Sequence, residues 1–366
     1  MVDVMGFFDF LKVGKGHEDV PLVQRWVSTS DGLIRDSARE MQPVWIIGTN
    51  YFESWIQGVE ERTNQSLGRR LAHAAAESEE YMLLKGKSYS MPKGGNPDTW
   101  NSLQNDWMSR GIGYFSSLDS SNEEKRIVVV KPAYGPICAG FIASAVETSS
   151  NIRHRFRWSE SKDQSLIVSL SPDQSEVPPP RKMKTFWADN ESEKCDSELF
   201  ETLEIGHNGS WAIMGNRCMV IHRDLILRFA EYCEPYLDEI HTGYDNYIFS
   251  GNSQDENLMW TAMADSIRKS TFESAPHILI SKPDDWKRVT SRHLSLHGLG
   301  NVSSVDAIDS HGGVKLSLSG CFHPAISGGV LLACWERAYG RRGKLQCDIN
   351  SGAVSLFLSS SVALVN

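Results

Sequence analysis

The chain has 366 residues, 40% of them hydrophobic and 23% charged, and a formal net charge of −9. This length predicts two domains, each with its own core, and the acidic balance excludes general nucleic-acid binding, since no basic field is present to displace counterions from phosphates. Seven cysteines without tight C-x-x-C spacing exclude a disulfide framework and a zinc ribbon, and no apolar run reaches the roughly 18 residues of a membrane span, so a cytoplasmic protein is expected.

Residues 1–20 read as an N-terminal tail whose Phe7, Phe8, Phe10 and Leu11 form a short apolar cluster closed by glycines and lysines. The first domain is expected over residues 21–171. Two strands are predicted around the Asp31-Gly32 turn, the second containing Val44 to Ile47. Helices follow at Tyr51 to Arg62 and Leu67 to Leu84, the latter rich in the strong helix former alanine. A loop rich in glycine and proline leads to a helix over Thr99 to Arg110. Gly111 and Gly113 then supply a left-handed cap and a tight exit. After them come strands around Ser116 to Asp119 and Ile127 to Val130, and Pro136 opens a small apolar helix through Val146. Two more strands, Arg153 to Trp158 and Leu166 to Leu170, complete the domain.

Residues 172–200, with Pro172, Pro178, Pro179 and Pro180, read as an exposed linker, although Phe186 and Trp187 call for burial against a domain. A second domain over residues 201–366 repeats the order. Strands flank the Gly215-Asn216 turn, and helices are predicted at Leu225 to Ile240, Leu258 to Thr271 and Asp284 to His297. The stretch from His241 to Glu256 has no counterpart in the first half. The repeat is visible in the letters: GIGYFSSLD at Gly111 matches GLGNVSSVD at Gly298 with an offset of 187, and Pro136 with Pro324 and Gly140 with Gly328 give 188. A period near half the chain means duplicated domains, because solenoid repeats are far shorter.

A helix ending in Gly-x-Gly, an alternating strand, an apolar helix of the form GFIASAVE and a closing hairpin resemble the 4-vinyl-reductase-type (V4R) ligand-binding domain, related in fold to heme-NO-binding domains and to vesicle-tethering (TRAPP-type) subunits. The resemblance covers both halves. It implies an α/β (α+β) fold of two duplicated domains, each an antiparallel sheet flanked by helices, pairing as an intramolecular pseudo-dimer. It also implies a non-enzymatic protein that binds a small apolar or aromatic molecule, or a lipid chain. The alternatives are a scaffold for a protein partner and, further off, a tetrapyrrole-related reductase.

In such a domain the pocket lies between sheet and helices, which makes Trp100, Trp107, Tyr114, Phe141 and Trp158 the ligand-binding candidates; as large aromatics they serve equally as core filling. Family members that sense aromatics carry a zinc site near the last hairpin. Here Trp158 stands where the second copy has Cys347, and Cys347 lacks neighbouring ligands, so no zinc is expected. His293 and His297 are four apart and share a helix face. Without a third ligand at fixed spacing they read as histidines favouring the negative end of a helix dipole, and no metal or cofactor is expected. Asp119 and Asp306 recur but suit turns better than acid catalysis. Arg153, His154, Arg155 and Arg157 read as a half-exposed strand face. No GxSxG, HExxH, P-loop or dinucleotide fingerprint is present, so no catalytic residue is assigned.

Overall fold

The computed structural model describes residues 25–85, 92, 94–120, 124–173, 175–176, 178–190, 192–196, 198–206, 209–237, 246–274 and 277–362. The N-terminal apolar cluster lies outside them. The fold is α+β, with antiparallel sheets flanked by helices. No helix among the described residues is long and apolar enough to cross a membrane.

The first strands among the described residues are β1 (Trp26–Ser28), β2 (Ile34–Asp36) and β3 (Gln42–Gly48). In β3 the run from Pro43 to Ile47 is buried on both faces, because the strand sits inside a sheet rather than at its edge. Its partner comes from the far half of the chain. Strands β8 (Leu203–Ile205), β9 (Trp211–Ile213) and β10 (Asn216–His222) join in the order β1-β2-β3-β10-β9-β8, with Ile46 opposite Val220 at the centre. The expectation of a separate sheet for each half therefore holds only for the later strands. Strands β1 and β2, three residues each, are too short to make a stable sheet with β3 alone, and the three reach stability by joining across the molecule.

Helix α1 (Thr49–Thr63) follows β3, and α5 (Arg223–Cys233) follows β10. Each crosses to the other half. Helix α1 packs on α6 (Gln254–Ser274), where Trp55 Nε1 donates to the Met263 carbonyl at 3.2 Å and Ser266 donates to the Trp55 carbonyl at 2.6 Å. Helix α5 packs on α2 (Gly68–Lys85). It ends at Cys233, short of the expected Ile240, because Pro235 has no N–H for a further turn.

The remaining strands form two sheets. One has the order β4 (Tyr114–Ser120), β5 (Lys125–Val130), β7 (Leu166–Asp173), β6 (Arg153–Glu160). In β6, His154 and Phe156 point inward while Arg155 and Arg157 are exposed, as period-2 alternation requires. The other sheet has the same order in β12 (Gly300–Ala307), β13 (Val314–Cys321), β15 (Ala353–Ser360) and β14 (Gly343–Asn350). The extra stretch of the second half adds β11 (Tyr247–Phe249), paired parallel to β14.

Helices α4 (Gly135–Ser150) and α8 (Pro324–Tyr339) pack on α2 and α6 through glycines. A Cβ on Gly140 would lie 2.1 Å from the Ala72 carbonyl oxygen, and one on Gly329 would lie 2.4 Å from that of Ala264. The matching glycine of the second half is thus Gly329. The prolines mislead because Pro136 is the second residue of its helix and Pro324 the first of its own. Between the halves, Trp187 is buried and its Nε1 donates to the Cys321 carbonyl at 2.8 Å, so that part of the linker straps the second half; Phe186, against expectation, is 57% exposed.

Candidate functional site

Helix α3 (Asn101–Met108) and helix α7 (Asp285–His293) each precede a Gly-x-Gly. Both helices stop earlier than expected and run into a tighter turn, which for the second ends on His297. Gly111 and Gly298 take φ of 71° and 79°, the left-handed region where a Cβ is strained. Space forbids a side chain as well: a Cβ on Gly111 would lie 2.7 Å from the Cys218 carbonyl oxygen, and one on Gly298 2.5 Å from that of Val44. Each Gly-x-Gly is a seat for the central strand of the other half. What lies beside the two seats differs.

Beside the first seat is a buried ion cluster. Arg25 donates to Asp36 at 2.7 and 2.9 Å and to Asp106 at 2.8 Å. Asp106 also accepts from Arg39 at 2.9 Å and from Arg110 at 2.6 Å. Arg110 reaches Glu79 at 2.6 and 2.9 Å and lies 4.8 Å from the centre of the Phe141 ring. All six charged residues are at most 4% exposed. Three arginines against three carboxylates balance, which is what makes burial of so many charges tolerable. His222 Nε2 lies 3.0 Å from Asp36; burial pushes this imidazole down to about 4, with Arg39 and Arg110 adding to the effect. Burial alone would raise Asp36, but Arg25 and the hydrogen bond from His222 together outweigh it and hold the carboxyl well below its usual range. Because His222 stays neutral near pH 7, its share is a donated hydrogen bond rather than a charge.

Beside the second seat is a cavity of about 370 Å³. Its walls are apolar where β3, Leu299 and Val330 meet, and polar where Tyr51, Thr271, Ser274, His293 and His297 converge, with the exposed Met214 at the rim. Thr271 donates to the Ile267 carbonyl at 2.7 Å and Ser274 to the Ser270 carbonyl at 2.8 Å. Tyr51 lies 2.5 Å from Thr271 Oγ1 and, with the threonine proton already committed, is the donor. These hydroxyls retain acceptor capacity. His297 Nδ1 lies 3.2 Å from the Ile46 carbonyl, so Nδ1 carries the proton and Nε2 is an acceptor. Burial lowers the pKa of His297 and pushes His293 down to about 4, so both are neutral near pH 7. His297 is nonetheless exposed, so the cavity opens to solvent along this wall.

The five aromatics expected at a ligand site lie elsewhere. Trp107 packs edge-on against Phe115 at 4.9 Å and Phe141 at 5.8 Å, and Trp100 packs on Phe115 at 6.2 Å, all buried. Tyr114 is half-buried at the start of β4, and Trp158 stacks on Phe156 at 6.2 Å with Arg69 above it. None of the five lines the cavity. The two histidines first considered as metal ligands do, but no group of three or more potential ligands occurs among the described residues. Asp119 pairs with Arg126 across the strand edge at 3.1 Å, exposed to solvent.

No family model matches the chain, and no curated protein matches it. Among solved structures, the chain is similar to a vinyl-4-reductase family protein from Methanocaldococcus jannaschii, at 14% identity and a TM-score of 0.26, over 35% of this chain and 83% of that one.

Proposed function

We propose that the protein is a non-enzymatic, tandem V4R-like binding protein that takes up a small apolar or aromatic molecule, or the end of a lipid chain, in the cavity between β3, α6 and α7. The observation that carries this reading is the cavity itself, about 370 Å³ of mostly apolar wall with a few convergent polar groups, which is the make-up of small-molecule sites. Its hydroxyls and His297 Nε2 offer lone pairs, so the matching ligand is an apolar molecule bearing a hydrogen-bond donor. The tandem arrangement is supported by the repeated Gly-x-Gly, by the strand order common to both later sheets, and by the reciprocal seating of Gly111 on β10 and Gly298 on β3. On this reading the six-stranded sheet is the joint of an intramolecular pseudo-dimer.

Native mass spectrometry of freshly purified protein, repeated after mild organic extraction, tests it. A mass excess of a few hundred daltons that extraction removes is the expected result. A bare monomer mass together with no uptake of added apolar compounds counts against binding, and a bare dimer or larger assembly favours the scaffold reading instead.

A further inference from the structure

The ion cluster and the cavity occupy the same place in the two halves. Asp106 and Arg110 stand five residues and one residue before Gly111, as His293 and His297 stand before Gly298. Glu79 follows Ala72 by two turns on α2 as Thr271 follows Ala264 on α6, and those two alanines are the contacts of Gly140 and Gly329. Asp36 ends β2 opposite Trp26, and Ile213 ends β9 opposite Leu203. Phe141 follows Gly140, and Val330 follows Gly329. Five positions that fill one chamber with charge and an aromatic ring thus carry Ile213, Thr271, His293, His297 and Val330 in the other; all five replacements are uncharged, and Thr271, His297 and Val330 are also shorter than Glu79, Arg110 and Phe141, which is what opens the space.

We infer that the chain carries one ligand site and not two: the chamber of the second half is the site, and the equivalent chamber of the first half is closed by its own ion cluster. This rests on the binding reading above and narrows it to a stoichiometry and a place. A neutral apolar guest cannot displace the cluster, because entering it would separate buried arginines from their carboxylates with no water to replace them. In the second chamber nothing has to be broken. Val330 is the residue whose replacement by the first-half equivalent would shut the site.

The test is a fluorescence titration of the full chain with phenyl-naphthylamine, an uncharged apolar fluorophore whose N–H can donate to the lone pairs of the cavity, with stoichiometry read at protein concentrations well above Kd. One probe molecule per chain is expected for the natural protein. Val330→Phe, which places the first-half residue in the second chamber, is expected to weaken binding at least tenfold. Phe141→Val in the first half should leave one site of unchanged affinity. Circular dichroism checks folding, and Ser274→Phe closes the cavity from the α6 side should Val330→Phe fail to fold. Two molecules per chain, or one molecule whose affinity neither cavity-filling variant changes, would overturn the single-site inference while leaving ligand binding intact. Failure of the natural protein to bind phenyl-naphthylamine at all would remove both.

Discussion

Arg110 and His297 hold the two ends of one joint. Val220 N–H donates to the Arg110 carbonyl at 2.8 Å, His297 Nδ1 donates to the Ile46 carbonyl at 3.2 Å, and Ile46 and Val220 face each other at the centre of the six-stranded sheet. The residue before each Gly-x-Gly therefore grips the central strand of the opposite half. One gripping residue sends its side chain into a salt-bridged cluster, the other into a cavity.

The cluster is expected to be sensitive to loss of any one carboxylate. Asp106 meets three arginines at once, so Asp106→Asn leaves buried positive charge uncompensated. Breaking a buried pair in this way costs about 3–5 kcal/mol. Urea denaturation should show a lower midpoint with unchanged slope, and a loss below about 1 kcal/mol would mean that water reaches the cluster.

Helix contact through glycine predicts a different kind of damage. Gly140→Ala puts a methyl group against the Ala72 carbonyl and the Ala75 side chain. Overpacking of this sort costs roughly 1–3 kcal/mol, against the stabilisation an alanine would bring to an uncrowded helix interior. Thermal unfolding distinguishes the two directions, and a raised Tm would contradict the packing described.

Acid should weaken the fold in a window set by His222. Its folded pKa is depressed to about 4 from 6.5. Below pH 6.5 the unfolded chain takes up a proton that the folded one refuses until about pH 4, so stability falls as pH drops through this window and the group contributes no further slope below it. One such histidine accounts for about 2 kcal/mol between pH 7 and pH 5. His222→Gln keeps a donor for Asp36 and does not titrate. Its stability should fall by about that much less over the same range, whereas identical pH dependence would mean that His222 is not held neutral.

The linker strap is tested by proteolysis. Trp187→Ala removes a buried ring, its contacts with Trp260 and His323, and the hydrogen bond to Cys321. Trypsin should then cut after Lys182 or Lys184 faster, while the melting of the rest of the chain changes less. Unchanged cleavage would mean that other contacts hold the strap.

The later strands and the apolar helices of both halves were legible because their signals are local: alternation, a proline in the first turn, and Asn350, Ser351 and Gly352 at the hairpin, where Ser351 and Gly352 take φ of 50° and 86°. The six-stranded sheet was not, since its outer strands are three residues long and their neighbours come from across the chain. The cavity had no spacing to betray it, because Ile46, Ile213, Thr271, His297 and Val330 converge only when the two halves interlock. One clue was present. Asp106 and Arg110 recur as His293 and His297 at the same distance from the Gly-x-Gly, and a pair of complementary charges exchanged for two imidazoles marks a place where the halves have diverged. Aligning the helices by Pro136 and Pro324 hid the companion change, since the glycine contacts match Phe141 with Val330.

The most direct measurement is diffraction from crystals pressurised with xenon, which enters apolar voids and needs no knowledge of the natural ligand. The account predicts xenon density against Val330, Leu299 and Ile47, and none among Arg39, Asp106 and Arg110. Density in the first chamber, or a second chamber filled by its own side chains, would contradict it.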